Sequence, residues 1–172
     1  MSIAKPAART GFFWRMLDGI DWVAALLVIL IMTGMVVVVS TQVFLRYVLN
    51  LSLDWAEEIS RLLFVWSIFL AIPLGIKRGS HLSIVLLTER LPPSLRTRLF
   101  RTMSALAMAL MAVVAWQAGV LTRDQWDEPM STLNISVGLF MLPLAIGAVH
   151  SLLHLLVGFI DGVPVKAPLG TE

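Results

Sequence analysis

The chain has 172 residues, of which 58% are hydrophobic and only 14% are charged, with a formal net charge of +2. A soluble globular domain is nearer half apolar and a quarter charged, so most of this surface has to face lipid or other apolar helices. The chain contains no cysteine, which excludes a disulfide framework, a cysteine metal site and a thiol nucleophile. The length predicts one compact membrane domain over residues 1–172.

Four segments without Asp, Glu, Lys or Arg predict an all-α integral membrane protein with four transmembrane helices. They cover residues 22–45, 62–76, 102–122 and 129–160. About 20 apolar residues cross a hydrocarbon core of ~30 Å, so the second segment is long enough only if its helix begins near Trp55. With their flanks, the predicted spans are about 20–45, 55–76, 95–122 and 132–160.

The positions of Lys and Arg predict that both termini lie on the cytoplasmic side. In this orientation the inner segments hold ten of the thirteen Lys and Arg residues, and the outer loops hold only Arg46, Arg61 and Arg123. This is the asymmetry that the positive-inside rule describes. The basic flank before the first span favours a retained signal-anchor helix over a cleaved signal peptide. Between spans two and three, a short cytoplasmic interfacial helix is predicted over about residues 80–91, ended by Pro92-Pro93.

The start of the second span carries a cluster of charged residues. Asp54 followed by Glu57 predicts a capping box, in which an acidic N-cap and a Glu three residues on satisfy free backbone amides. Glu57 and Glu58 precede Arg61 by four and three residues, so a helix brings all three within reach of one another. We expect this cluster to hold the chain against a protein partner. The alternative is a solvated helix end at the membrane interface.

Two histidines, His150 and His154, lie one turn apart on the fourth span, a spacing that allows two imidazoles to share a metal ion. No carboxylate or third histidine lies nearby in the sequence, so we expect neither a metal nor another cofactor there. A packing stripe explains the pattern better, because small residues allow close approach of helices in lipid. Its members are Gly147, Ser151, His154 and Gly158. A comparable stripe on span three comprises Ala105, Ala109, Ala112 and Gly119.

The predicted spans lack the groups that transport or catalysis requires. The uncharged segments of spans one and three hold no ionisable side chain, and span four holds only its two histidines. A self-sufficient pump needs buried ionisable groups, and a secondary transporter usually needs inverted repeats and interrupted helices. No phosphate-binding loop, nucleophile–base pair or zinc-protease motif is present in the sequence. We therefore expect that the chain is not an enzyme and moves nothing by itself.

Residues 44–87 resemble the small permease subunit of tripartite ATP-independent periplasmic (TRAP) transporters, the DctQ-like family. The matching elements are "RYVLN" at 46–50, "LDWAEEISRLLFVW" at 53–66, "IKRGSHLSI" at 76–84 and "LP" at 91–92. Each piece alone is weak, whereas their order and spacing in a four-span layout are fairly specific. The matching region covers about a quarter of the chain. The positions that carry the family pattern are Arg46, Trp55, Glu57, Glu58, Arg61, Trp66, Arg78 and His81.

The resemblance implies a subunit of the bacterial inner membrane that pairs with a large permease subunit. In that family an extracytoplasmic binding protein delivers an organic anion, and a sodium gradient drives uptake. The large subunit carries the substrate and sodium sites and works as an elevator. The small subunit enlarges its immobile scaffold and offers part of the docking surface for the binding protein. The resemblance does not identify the substrate, because the residues that select it lie in other chains. The bilayer is the other expected partner, and nucleic acid is not.

Two other classes are weighed against this one. A small four-helix drug/proton antiporter needs an acidic residue within a span, typically the first, and residues 22–45 have none. A di-haem b-type electron carrier would use His150 and His154. Paired haem ligation, however, normally uses histidines on different helices that face each other. The sequence supports both alternatives less well than it supports a transporter subunit.

Overall fold

The computed structural model describes residues 12–77 and 92–161, and the predicted interfacial helix with Arg78 and His81 lies outside this part of the chain. These ranges contain four helices: α1 (Phe12–Val48), α2 (Asp54–Lys77), α3 (Pro93–Asp124) and α4 (Gly138–Asp161). All four contain a stretch long and apolar enough to cross a membrane. Within the described residues there is no strand, only one isolated bridge between Pro129 and Ser136. The predicted all-α, four-span class is confirmed.

The helices form a row in which α2 and α4 are central. The main contacts join α1 to α2, α2 to α4, and α4 to α3. We call the end where α1 begins and α4 ends the amino-terminal end. The other end, where residues 49–53 and 125–137 connect consecutive helices, is the hairpin end. The outer helices expose large apolar side chains along their length, for example Ile29 and Val36 on α1 and Leu110 and Trp116 on α3. These faces are suited to lipid or to a neighbouring membrane subunit.

The first hairpin turns at Asn50, whose φ of 53° lies in the left-handed region that Asn tolerates. The amides of Leu49 and Leu51 both donate to the carbonyl of Leu45, which closes the end of α1. Helix α2 then begins at Asp54, whose carboxylate accepts a hydrogen bond from the hydroxyl of Ser52. The predicted capping box does not form: the carboxylate of Glu57 binds Arg61 of the next turn and does not reach back to the helix start.

The second hairpin is longer than the sequence suggests, because α4 begins at Gly138 and not near residue 132. Residues 128–137 fold back on themselves. The amide of Met130 donates to the carbonyl of Ile135 at 2.8 Å, and the amide of Val137 donates to the carbonyl of Glu128 at 2.8 Å. Met130 is buried in this loop. The segment carries no charge after Glu128, so charge alone could not separate loop from helix.

Two buried prolines set how α2 and α4 meet. Proline has no amide hydrogen, so it leaves the carbonyl four residues earlier without its helical donor. Pro73 frees the carbonyl of Phe69 in this way, and Pro143 frees that of Leu139. The indole Nε1 of Trp66 donates to the Leu139 carbonyl at 3.0 Å. The free Phe69 carbonyl faces Gly147, where an added Cβ would lie 2.4 Å from the Phe69 oxygen.

Helix α3 packs with a different face from the one predicted. Ala105, Ala109, Ala112 and Gly119 are all exposed, whereas Ser104 and Ala118 are buried. A Cβ added at Gly119 would meet no atom within 4 Å. The predicted small-residue stripe on span three is therefore wrong as a contact within this chain. It lies on the face that α3 turns away from α4.

Candidate functional site

The motif residues between positions 46 and 66 lie in the hairpin half of the molecule, and the structure divides them into two groups. Arg61 donates to the carboxylate of Glu57 at 2.8 Å, and both side chains are well exposed. Glu58 points elsewhere: it accepts hydrogen bonds from the amides of Ser131 and Thr132, at 2.8 and 3.0 Å, and from the Thr132 hydroxyl. The expected three-residue cluster is thus an exposed ion pair beside a carboxylate that binds the loop before α4.

Glu58 and Trp66 together tie α2 to α4. Glu58 holds the loop that leads into α4, and Trp66 caps the free carbonyl in the first turn of α4. About one turn further along α2, the backbone of Phe69 lies against Gly147. These three contacts lie along the same helix pair. The Trp66 indole satisfies a carbonyl that Pro143 leaves without its helical donor, Glu58 binds amides of the exposed loop, and Gly147 allows close approach of the α2 backbone. Glu58 and Trp66 therefore have internal, structural roles.

The other motif residues that the structure describes face outward. Arg46 and Tyr47 are exposed at the end of α1, and Trp55 is 42% exposed at the start of α2. Arg46 makes no hydrogen bond or ion pair with any other described residue. With the Glu57–Arg61 pair, these side chains form an outward motif surface, which we define as Arg46, Trp55, Glu57 and Arg61. This surface is free to contact lipid headgroups or a protein.

The predicted stripe on α4 is partly a contact between helices. Gly147 is in close contact with α2, and Ser151 is fully buried with no hydrogen-bond partner for its hydroxyl among the described residues. Gly158 differs, because a Cβ added there would meet nothing within 4 Å. His154 is buried too, but its ring takes part in polar contacts and not in apolar packing. Of the stripe residues, Gly147 lies against α2 and Ser151 is buried, whereas Gly158 has open space beside it.

A buried polar cluster lies toward the amino-terminal end, where α1, α2 and α4 meet. The Nε2 atoms of His150 and His154 lie 2.7 and 2.8 Å from the same oxygen, Oδ1 of Asp21. The two Nε2 atoms are 3.2 Å apart, and the ring planes are tilted by 40°. All three side chains are at most 7% exposed. Three groups that can bind a metal ion thus converge on one point.

The second oxygen of Asp21 is held by Lys77 at the end of α2. The Lys77 ammonium donates to Oδ2 of Asp21 and to Oδ1 of Asp18, both at 2.6 Å. Asp18 is largely exposed, whereas Asp21 is buried. With neutral imidazoles, two carboxylates and one ammonium leave this group with one net negative charge. We refer to Asp18, Asp21, Lys77, His150 and His154 as the inner cluster.

Sequence reasoning missed Asp21 because it lies 129 residues from His150. The uncharged segment of span one begins at residue 22, one position after this acid, whereas helix α1 extends outward through Asp21 and Asp18. The predicted topology could have indicated that Asp21 lies near the two histidines. In a four-span chain, the start of helix one and the end of helix four lie at the same membrane surface, so their polar residues can meet.

The geometry of the two histidines does not suit haem. Axial histidines bind a haem iron from opposite faces of the porphyrin. Here both Nε2 atoms address one carboxylate oxygen and lie 3.2 Å apart on the same helix, so no porphyrin can lie between them. A di-haem carrier built on this pair is excluded for this arrangement of α4.

Four apolar helices whose charged side chains lie toward the two ends define a multi-pass integral membrane protein. The sequence model of the family described as "Tripartite ATP-independent periplasmic transporters, DctQ component" matches residues 35–164. This match covers well over half of the chain, so the chain belongs to the DctQ family of small TRAP permease subunits. The resemblance carried by the motifs of residues 44–87 is thereby confirmed.

Three relatives named as TRAP transporter permease proteins agree with this family assignment. The chain is 28% identical over 120 residues to the sialic acid TRAP transporter small permease protein SiaQ of Vibrio cholerae, which is 69% of each chain. It is 40% identical over 68 residues to a Haemophilus influenzae chain named as a TRAP transporter small permease protein, covering 40% of this chain and 42% of that one. A third relative is the isethionate TRAP transporter permease protein DctMQ of Oleidesulfovibrio alaskensis. The match is 28% identical over 97 residues, 54% of this chain but only 15% of DctMQ.

Proposed function

We propose that this chain is the non-catalytic scaffold of a TRAP transporter in the inner membrane, where it enlarges the immobile part of a large permease subunit. The observation that carries the proposal is the fixed junction of α2 and α4. Glu58, Trp66 and Gly147 join the two central helices by contacts to backbone groups. A rigid helix pair of this kind is suited to a static support, and less to an element that moves during transport.

The large permease subunit is the proposed membrane partner. The relative DctMQ supports it, because the segment similar to this chain is a small part of a much longer TRAP permease chain. The apolar outer faces of α1 and α3 provide surface for lateral contact in the membrane. We assign the outward motif surface to this junction as well, because its aromatic and Arg side chains are of the types enriched in protein interfaces.

The second proposed partner is a periplasmic binding protein. With both termini in the cytoplasm, the hairpin end faces the periplasm. It presents exposed acidic residues next to the motif surface: Asp54, Asp124, Asp127 and Glu128. A basic patch on a binding protein would be attracted to them, although exposed charges contribute modestly to affinity and mainly speed encounter.

The proposed transport reaction is sodium-driven uptake of an organic acid. Two relatives are named for sialic acid and isethionate, both of which are organic anions at neutral pH. The inner cluster is net negative with neutral imidazoles, which disfavours binding of an anion there. We assign the substrate and sodium sites to the large subunit, and this chain contributes the support.

Reconstitution tests this function. Proteoliposomes would receive this chain alone, the large subunit alone, or both, each with the binding protein and an inward sodium gradient. We expect uptake of labelled substrate only with both membrane subunits. Uptake by this chain alone would overturn the scaffold assignment, and full uptake by the large subunit alone would show that the support is dispensable.

A charge swap tests the outward motif surface. Arg61→Glu should lower the yield of the co-purified complex, whereas Arg123→Glu, an exposed arginine at the same end on α3, should not. The double change Glu57→Arg with Arg61→Glu restores the ion pair within α2. If Arg61 contacts the partner, the double variant stays impaired. If its yield recovers, the pair acts only within this chain and the contact is disproved.

A further inference from the structure

We propose that Asp21, His150 and His154 form a binding site for one divalent transition-metal ion, of which zinc is the representative. The proposal does not depend on the transport role. It rests on the convergence of three ligand atoms from two helices: two imidazole Nε2 atoms and one carboxylate oxygen, separated by 2.7, 2.8 and 3.2 Å. Within the described part of the chain, these three side chains bring their possible ligand atoms within 4.8 Å of one another.

The ligand types fit zinc and its neighbours among the transition metals. Imidazole nitrogen and carboxylate oxygen both bind Zn²⁺, at about 2.0–2.2 Å, in four-coordinate sites that can keep one position for water. Two histidines one helical turn apart lie on one face of α4, so their rings reach a common point without strain in the backbone. The carboxylate from α1 supplies the third ligand, and a water molecule completes the tetrahedron.

The distances leave room for the ion after a small adjustment. Tetrahedral bonds of about 2.0–2.1 Å separate neighbouring ligand atoms by roughly 3.3 Å. The two nitrogens already lie 3.2 Å apart. The two separations from nitrogen to Oδ1, 2.7 and 2.8 Å, need to lengthen by about half an ångström. A change of this size lies within the freedom of a carboxylate that can rotate about its own bond.

Charge and supporting contacts favour a cation at this point. The inner cluster carries one net negative charge when both imidazoles are neutral, which is the form in which they bind metals. Lys77 binds the other oxygen of Asp21 and is itself balanced by Asp18. It therefore orients the carboxylate as an outer-shell partner without leaving its charge uncompensated. Without an ion, each Nε2–H can donate to Oδ1 of Asp21; one divalent ion would replace both hydrogen bonds by bonds to all three ligand atoms.

The ion would connect helices that otherwise share little contact. Helix α1 packs mainly on α2, and the principal neighbours of α4 are α2 and α3. A metal bound by Asp21 on one side and by the two histidines on the other would fasten α1 to α4 directly. With Lys77, it would fix three helices at the amino-terminal end, as Glu58 and Trp66 fix α2 to α4 at the hairpin end.

Metal binding to the purified full chain tests the site. The protein would be prepared in detergent with a tag that contains no histidine, stripped with a chelator, and titrated with Zn²⁺ or Co²⁺. We expect one ion per chain, a rise in the melting temperature with Zn²⁺, and the visible absorption of four-coordinate Co²⁺. Asp21→Asn, His150→Gln and His154→Gln should each weaken binding by about tenfold or more.

The control is Glu57→Gln, which removes an exposed carboxylate at the other end of α2 and should leave metal binding unchanged. A folded wild-type chain that retains no Zn²⁺ overturns the proposal. So does binding of equal strength in the wild type and in all three ligand variants, because the ion would then be held elsewhere. Failure of the wild type to bind Zn²⁺ would refute the site without any variant, and the two remaining ligand variants locate the ion even if the third fails to fold.

Discussion

Replacing Gly147 with alanine should separate the two central helices. The added Cβ would lie 2.4 Å from the carbonyl oxygen of Phe69 and 3.1 Å from its carbonyl carbon. Carbon–oxygen contacts between helices normally begin near about 3.3 Å, so α2 and α4 would have to move apart locally by roughly 0.9 Å. Both neighbours are backbone atoms and cannot rotate away. Overpacking of this kind costs about 1–3 kcal/mol.

Gly158→Ala on the same helix is the matched control. A Cβ at this position meets nothing within 4 Å, so the change brings only the better helix propensity of alanine, at most about 1 kcal/mol. Gly147→Ala gains the same propensity term, which cancels when the two variants are compared. The difference between them should therefore be the overpacking cost alone, about 1–3 kcal/mol in favour of Gly158→Ala.

The measurement is unfolding of the purified chain in mixed micelles with increasing sodium dodecyl sulfate, followed by circular dichroism. We expect the unfolding midpoint of Gly147→Ala to lie below that of Gly158→Ala. Equal midpoints would refute the reasoning, because they would mean that α2 and α4 do not approach each other through Gly147. A further variant, Gly147→Leu, should lower the midpoint more strongly and reduce the yield of folded protein.

Two further predictions concern the contacts of α2 with α4 and its loop. Trp66→Phe removes the donor to the Leu139 carbonyl and should lower the free energy of unfolding by about 1–3 kcal/mol, because the acceptor is left unsatisfied. In a Pro143→Ala background, the amide of residue 143 can bind this carbonyl instead. The same Trp66→Phe change should then lower the free energy of unfolding clearly less, as a double-mutant cycle would measure. Glu58→Gln should lower the unfolding midpoint more than Glu57→Gln, the same chemical change one residue away. Equal effects of the two glutamine variants would show that Glu58 does not hold the loop.

The number of helices and most of their limits could be predicted from the sequence, because charge and hydropathy separate long helices well. The second span shows why this works: its apolar segment is too short, and the predicted start near Trp55 agrees with the observed start at Asp54. The start of α4 was harder. The uncharged run 129–160 joins a folded loop to a helix, and hydropathy does not distinguish the two.

Contacts between helices were predicted less well, for a physical reason. A stripe of small residues indicates close approach of some neighbour, but the sequence does not say whether that neighbour is another helix of the chain, lipid or a partner. Ala109 and Ala112 belong to such a stripe and are nevertheless exposed in this chain. Gly147 belongs to another stripe and lies against Phe69 of α2. The carbonyl freed by Pro143 is a better marker, since a free acceptor in a membrane helix calls for a donor, and the Trp66 indole on α2 supplies it.

The division of the motif into internal and outward residues changes how variants in this family should be interpreted. Glu58 and Trp66 hold α2 to α4 and to the loop before it, so their loss should reduce complex yield by weakening the fold of this chain. Arg61 is exposed and bound only to Glu57, so its loss should reduce complex yield while the unfolding midpoint stays nearly unchanged. The motif therefore contains two kinds of residue. They are distinguished only when the unfolding midpoint of this chain is measured together with the yield of the co-purified complex. A variant that lowers yield at constant stability identifies a partner contact; one that lowers both identifies a support within the chain.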